Sequence, residues 1–303
     1  MSVVIFNANA GAKRRAPGQA PLNEETLRDA LAKHGITARI VTTMSAEEAS
    51  QAVREAVAAG EKLIIAAGGD GTIGQVASEL LGNEQVALGI LPLGSVMNVA
   101  RMLGVPRDID AAAGVLAAGR TRLIDVGHAN DVTFYETASV GMNAEMFAAA
   151  QSWEDGDLAS PFRVIAAAFR YRPARMVVEM DDTTITTRAL MVTISNGAFM
   201  GLAMTVAPEA RLEDGKLDVK VWRHFSKLEL LRHLASITFG RRRYSPHFSA
   251  YRSARVVITS RSALPCRADS HDLGTTPLEC RAQRAALKVV VGPDYPNVVP
   301  DAP

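Results

Sequence analysis

Short apolar runs alternate with amphipathic stretches over the first third of the chain, and this switching of period predicts a strand–helix succession. Val3 to Phe6 is an apolar run that breaks into a polar turn, Asn7-Ala8-Asn9-Ala10-Gly11. Asn23 is placed to cap a helix that runs to Lys33 and stops at Gly35, and Ala38 to Thr42 reads as a strand. Ser45 with Glu48 forms a capping box for a helix to Ala59. Leu63, Ile64 and Ile65 then make a continuous apolar run of the sort that lies inside a parallel sheet. Gly68, Gly69 and Gly71 forbid it to continue, and the spacing predicts a helix over 72–81. Ala87 to Leu93 is a further buried strand, followed by a helix over 95–103 that ends before Gly104 and Pro106. Such alternation specifies an α/β N-terminal domain with a mainly parallel sheet, in which ligands bind beyond the carboxyl ends of the strands.

Around Arg122 the pattern changes to short, often alternating runs: 122–129, 133–141, 174–180, 187–196, 217–222, 254–260, 277–282 and 287–291, with Asp181-Asp182 as a hairpin turn. These predict a β-rich antiparallel C-terminal domain, interrupted by helices over 143–152, 161–171 and 226–239. The expected division is 1–122, 123–292 and a tail, 293–303, with prolines at 293, 296, 300 and 303, that is either packed back in extended form or disordered.

Composition narrows the classes of function. Lys plus Arg (33) nearly balances Asp plus Glu (32), so no global field directs the chain to nucleic acid, and none is expected as a partner. Two cysteines, Cys266 and Cys280, lack the spacing of a zinc site and are too few for a disulfide framework, so a reduced, cytoplasmic chain is expected. No run approaches a membrane span, and the first residues lack the pattern of a signal peptide. Local basic clusters remain: Arg163, Arg170, Arg172 and Arg175 beside an apolar stretch, and Arg241-Arg242-Arg243 before Tyr244 and Phe248. They are either solvated charge or a contact with an anionic membrane at its inner face. A homodimer is left open.

The chemistry concentrates at 68–72. A strand, a glycine loop and a helix start set unpaired backbone N–H groups and the positive helix end where a phosphate can sit. A carboxylate facing phosphates repels them unless a cation stands between, so Asp70 suggests a magnesium nucleotide. Taken alone, the loop is equally a tight turn of any doubly wound domain.

Further residues carry a resemblance. Gly68-Gly69-Asp70-Gly71-Thr72, then Gly89-Ile90-Leu91-Pro92-Leu93-Gly94-Ser95, Asn98-Val99-Ala100-Arg101 and Leu103-Gly104-Val105-Pro106, resemble the catalytic domain of diacylglycerol kinases, which sphingosine, ceramide and bacterial lipid kinases share. The glycine loop is similar to that of NAD kinases, which implies an NAD-kinase-like first domain. Ser195-Asn196-Gly197, Ala207-Pro208-Glu209-Ala210 and Glu213-Asp214-Gly215-Lys216-Leu217-Asp218 resemble stretches of the lipid kinases' second domain. The resemblance implies ATP as co-substrate, with nucleotide contacts at Asn7, Thr43, Gly68, Gly69, Asp70, Gly71, Thr72 and Ser95; Thr42 replaces Thr43 if the register shifts by one. It implies Mg2+ near Asp214, with the backbone carbonyls of Arg211 and Lys216, and Asp125 linked to the metal through water. It makes Asp269 the general base, tuned by His271, and a membrane lipid the acceptor.

The chain departs from the family pattern in four places. Asp269-Ser270-His271 stands where Asp-Gly-Glu is usual, Met97-Asn98 where Asn-Asp is usual, Gln75 where glutamate is common, and Ala8 for proline. An active kinase, a kinase with another acceptor and a folded relative without catalysis all fit these changes. The function expected is an ATP-dependent lipid kinase acting on diacylglycerol or on a ceramide or sphingoid lipid. The alternatives are a non-catalytic nucleotide- or lipid-binding relative and an NAD kinase.

Overall fold

The computed structural model describes residues 2–8, 23–142, 144, 171–201, 204–223 and 248–296. Four strands, β1 (Ser2–Asn7), β2 (Ala38–Thr43), β3 (Leu63–Gly68) and β4 (Ala87–Pro92), lie parallel in the order β2-β1-β3-β4. Val3, Val4, Ile5, Ile64, Ile65, Leu88 and Ile90 are fully buried, because helices cover both faces. The helices are α1 (Glu24–Lys33), α2 (Ala46–Ala58), α3 (Asp70–Leu80), α4 (Asn98–Met102) and α5 (Ile109–Ala118). Asn23 caps α1 by accepting from the Thr26 N–H at 2.9 Å, and Ser45 caps α2 by accepting from the Glu48 N–H at 3.1 Å. Glu48 returns the bond to the N–H of Met44 at 2.7 Å rather than to Ser45, so the capping box is displaced by one residue.

Three differences from the sequence expectation matter for the site. The glycine loop does not extend to Thr72, because α3 already begins at Asp70 and takes Asp70 and Gly71 into its first turn. The helix expected over 95–103 starts only at Asn98, since Met97 adopts left-handed backbone (φ 60). Helix α5 has no counterpart in the pattern reading, although Asp108, accepting from the Ala111 N–H at 2.9 Å, and Gly119 (φ 64) bracket it as N- and C-caps.

The remaining strands are β5 (Thr121–Ala129), β6 (Val132–Phe134), β7 (Thr137–Gly141), β8 (Ala174–Met180), β9 (Thr183–Ala189), β10 (Met191–Ser195), β11 (Phe199–Met200), β12 (Met204–Thr205), β13 (Leu217–Trp222), β14 (Phe248–Ser253), β15 (Arg255–Ser260), β16 (Pro265–Ala268), β17 (His271–Thr275) and β18 (Leu278–Val290). The stretch expected as one strand over 133–141 is broken at Tyr135-Glu136. The runs 277–282 and 287–291 join into the single strand β18, irregular between Gln283 and Leu287. The helices expected over 143–152, 161–171 and 226–239 lie outside the described residues, apart from Ala144 and Tyr171.

β18 ties the molecule together. Its last residues run parallel to β4, with Val289 opposite Leu88, while its length pairs antiparallel with β5 and its first half with β15. One ten-stranded sheet therefore runs from the nucleotide-type half into the β-rich half, in the order β2-β1-β3-β4-β18-β15-β8-β9, with β5 and then β6 branching from β18. A six-stranded antiparallel sheet, β14-β13-β10-β7-β16-β17, packs over the β15/β8 end of it. Tyr295 returns to the first core, and the Gly292 N–H donates to Leu103 O at 2.8 Å.

Phe134, fully buried in the sandwich core, sits immediately before the break at Tyr135-Glu136, and a Cβ on Gly127 would lie 2.2 Å from its ring. Glycine at 127 is the room that the ring occupies. Phe134→Ala is expected to cost about 3–5 kcal/mol of unfolding free energy, read as a lowered midpoint in urea with an unchanged slope.

Candidate functional site

Strand order reverses between β1 and β3, and the carboxyl ends of those two strands carry the predicted nucleotide residues. The Asn7 side-chain amide donates to Thr72 Oγ1 at 3.0 Å. Thr43 lies opposite Asn7 in the β1/β2 register, whereas the Thr42 hydroxyl is directed to the Glu24 carboxylate on α1; Thr43, not Thr42, is thus the one beside Asn7. Thr72 folds back over Gly68 so closely that a Cβ there would lie 2.4 Å from Thr72 Oγ1. A Cβ on Gly94 would come within 2.7 Å of Gly69 Cα, so the 68–72 and 94–98 loops meet backbone to backbone. Ser95 is exposed beside them, its carbonyl held by Arg107 Nη2 at 2.6 Å. Helix α3 has Gly69 at its N-cap and no side-chain cap, which leaves the first-turn N–H groups of an 11-residue helix available to an anion among the described residues.

Asp70 does not face that helix end as the sequence argument requires. Its carboxylate accepts from the N–H of Met97 at 2.8 Å and of Val99 at 3.3 Å, which makes it the cap of α4. Burial pushes its carboxyl up, and the amides of Met97, Asn98 and Val99 pull it back. The carboxylate expected beside a magnesium nucleotide is thus bonded to the backbone of the 97–99 turn, with burial outweighing the amides.

Asp269 likewise serves backbone. Its Oδ2 accepts from the Tyr135 N–H at 2.7 Å, and its Oδ1 from Glu136 at 3.1 Å and Thr137 at 3.0 Å. It adopts φ 45 in the turn between β16 and β17. Burial raises its carboxyl above the usual range, opposed by these amides and by His271. The three amide bonds make Asp269 the anchor of 135–137. His271 is exposed at the start of β17.

The proposed metal residues form a second pinned loop. Asp125, 2% exposed, accepts from the Gly215 N–H at 2.5 Å and the Ala285 N–H at 2.8 Å, so both oxygens are engaged. Asp214 accepts from the Lys216 N–H at 3.0 Å and pairs with the Arg252 guanidinium, which also lies 3.4 Å from Asp218. Among the described residues no three Asp, Glu, His or Cys side chains are grouped to hold a metal ion. Asp125 and Asp214, expected near Mg2+ with the carbonyls of Arg211 and Lys216, are thus both bonded to protein partners, Asp125 buried and Asp214 partly exposed.

Sequence reasoning gave no role to the residues that join the halves. Asn196 donates from Nδ2 to Asp125 O at 3.2 Å and Tyr135 O at 3.3 Å, linking the two pinned loops. Tyr135 reaches α3, its hydroxyl 3.0 Å from Ser78 Oγ. Glu136 accepts from Asn98 Nδ2 at 2.7 Å. Its signal was present: an acid within the otherwise uncharged run Val132–Met142. A cavity of about 460 Å³ is lined among others by Arg101, Arg107 and Phe199, but by no residue of the 68–72 loop.

The comparisons agree with this two-part build. The family model for the diacylglycerol kinase catalytic domain matches residues 1–129, and that for the YegS C-terminal NAD kinase beta sandwich-like domain matches 136–291. The "Probable lipid kinase YegS-like" protein of Pseudomonas savastanoi pv. phaseolicola is 30% identical over 288 residues, covering 92% of each chain. Its Klebsiella pneumoniae counterpart is 29% identical over 282 residues, 90% of this chain and 94% of that one. A diacylglycerol kinase crystal structure from Bacillus anthracis superposes with a TM-score of 0.71 at 19% identity, over 96% of this chain and 97% of that one. An α/β half joined to a β-sandwich, with both family models in order along the chain, places this protein in the diacylglycerol kinase catalytic-domain family of lipid kinases.

Proposed function

We propose that the protein transfers the γ-phosphate of ATP to the hydroxyl of a neutral membrane lipid, with diacylglycerol the first candidate and a ceramide or sphingoid base the second. The observation that carries this reading is the uncapped start of α3 at the β1/β3 switch point, with the Asp269–His271 turn of the other half anchored close by through Tyr135–Thr137. Phosphates would take the α3 amides, with Asn7, Thr43, Thr72 and Ser95 around them. A magnesium ion accompanying the nucleotide would neutralise charge on the transferring group. Phosphoryl transfer asks the protein mainly for positioning, and the carboxylates at 70 and 269 supply it by fixing the loops that carry Ser95 and Glu136. With Asp269 engaged by three amides, the hydroxyl proton falls in this reading to His271, imidazole being the commonest general base. That reverses the ranking expected from the sequence.

No helix among the described residues is long and apolar enough to cross a membrane. Docking on an anionic bilayer is proposed from the basic clusters; Arg163, Arg170, Arg241, Arg242, Arg243 and Tyr244 lie outside the described residues. Arg172 and Arg175 are exposed, and Phe248 packs on Trp222 with ring centroids 5.1 Å apart. A homodimer stays a proposal without a surface to assign.

Radiolabelled ATP offered with diacylglycerol, ceramide, sphingosine, monoacylglycerol and NAD in parallel is expected to label a lipid; label on NAD alone, or on nothing, overturns the reading. Among variants, His271→Ala is expected to lower kcat by about two to four orders of magnitude with an unchanged Tm. Asp269→Asn offers one acceptor oxygen to three N–H groups and is expected to lose about 1–3 kcal/mol of stability together with activity. Turnover and thermal unfolding measured on both variants check the assignment.

A further inference from the structure

The seam between the two halves is crossed by a short polar bridge. Asn98, at the first position of α4 and 1% exposed, donates from Nδ2 to Glu136 Oε2 at 2.7 Å and to Gly201 O at 2.8 Å. Its Oδ1 is buried and has no hydrogen-bond partner among the described residues. The backbone at Asn98 is in turn part of the α4 start that Asp70 caps. Glu136 is held from the other side: its N–H donates to Asp269, and its carbonyl accepts from the N–H of Asn196 at 2.9 Å and Gly197 at 3.2 Å. A chain of contacts thus runs from Asp70 through Asn98 and Glu136 to Asp269. The family pattern has an aspartate where this chain has Asn98, and the carboxyl group that meets position 98 comes instead from Glu136 across the seam.

We propose that Glu136 is a positioning residue of the kinase cleft, a carboxyl supplied by the β-rich half that grips Asn98 and so fixes the Ser95-bearing loop and the Asp70 loop against the Asp269–His271 turn. The inference rests on the lipid-kinase reading for its catalytic consequence, although the bridge itself does not.

The charges around Glu136 give the bridge a direction in pH. Asp70 faces it from α3 and Asp269 from the β16–β17 turn, and α4 contributes the neutral Asn98 amide; Arg107 faces Asp70, and His271 faces Asp269. Burial, and then the like charges of Asp269 and Asp70, hold the Glu136 carboxyl well above the usual carboxylate range, opposed by Asn98 and the Gly201 backbone. The neutral form is therefore the one the fold accommodates. An acid raised in the folded state stabilises the fold fully below its unfolded value, near 4.5, and that stabilisation is lost as pH rises through the folded value. Glutamine keeps the shape of the neutral acid without the proton to lose.

The test uses the full chain, with Glu136→Gln, Glu136→Ala, Asn98→Ala and the Glu136→Ala/Asn98→Ala double variant. Thermal unfolding from pH 5 to 9, without nucleotide or lipid, should show Tm of the wild type falling relative to Glu136→Gln as pH rises. In labelled-ATP turnover at pH 7, Glu136→Ala and Asn98→Ala are each expected to lose about ten- to a hundredfold in kcat. The double variant should lose no more than either, and Glu136→Gln should restore most of the loss. A folded Glu136→Gln that has lost turnover like His271→Ala would make Glu136 the proton acceptor and overturn the positioning role. Additive losses, or a Tm difference flat in pH, would overturn the bridge. Absence of lipid phosphorylation by the wild type would defeat the kinase reading alone, since the unfolding series stands without it.

Discussion

Buried and half-buried carboxylates that accept backbone N–H groups are what the cleft depends on. Asp70 takes the start of α4, Asp269 takes the amides of 135–137, and Asp125 takes Gly215 and Ala285. Each closes a chain break whose donors would otherwise be unpaired, and charge-assisted bonds of this type are about twice as strong as neutral ones. The cost of removing one is the cost of several buried amides left without acceptors, which exceeds the net worth of the bonds themselves.

These three anchors sit at different levels of the fold and are linked. Asn196 joins the Asp125 loop to Tyr135 O, and its own N–H with that of Gly197 reaches Glu136 O. Tyr135 spans to Ser78 on α3, and Arg101 lies over the Phe199 ring at 4.1 Å, so α3 and α4 are each tied to the β-rich half. The continuous sheet through β18 carries the two halves as one frame, and the polar links set how the loops meet across it. Catalysis that works by positioning needs such a frame, because small displacements of reacting groups have large effects on rate.

The same placement explains why the three carboxylates nearest the seam are not interchangeable. Asp70 and Asp269 remain served by amide donors, whereas Glu136 receives mainly the Asn98 amide and stands between two like charges. Environment separates their behaviour although their chemistry is the same.

The sequence by itself determined the succession of strands and helices up to β4, the glycine loops, and the family to which the chain belongs, because these rest on local periodicity, on caps such as Asn23 and Ser45, and on glycines at close approaches such as Gly94 over Gly69. It also placed the 68–72 and 94–98 loops at one edge, since ligands of such sheets bind beyond the carboxyl ends of the strands, whereas Asn7, Thr43 and Thr72 entered only with the family resemblance. Pattern alone did not show the break of 133–141 at Tyr135-Glu136 or the joining of 277–282 with 287–291 into β18, because both follow from pairing with distant strands. Nor could it tell which partner each aspartate faces. Asp70, Asp125 and Asp269 look alike in sequence as candidate ligands and bases, and only the tertiary structure, by bringing unpaired amides from residues 27 to 160 positions away, made them anchors.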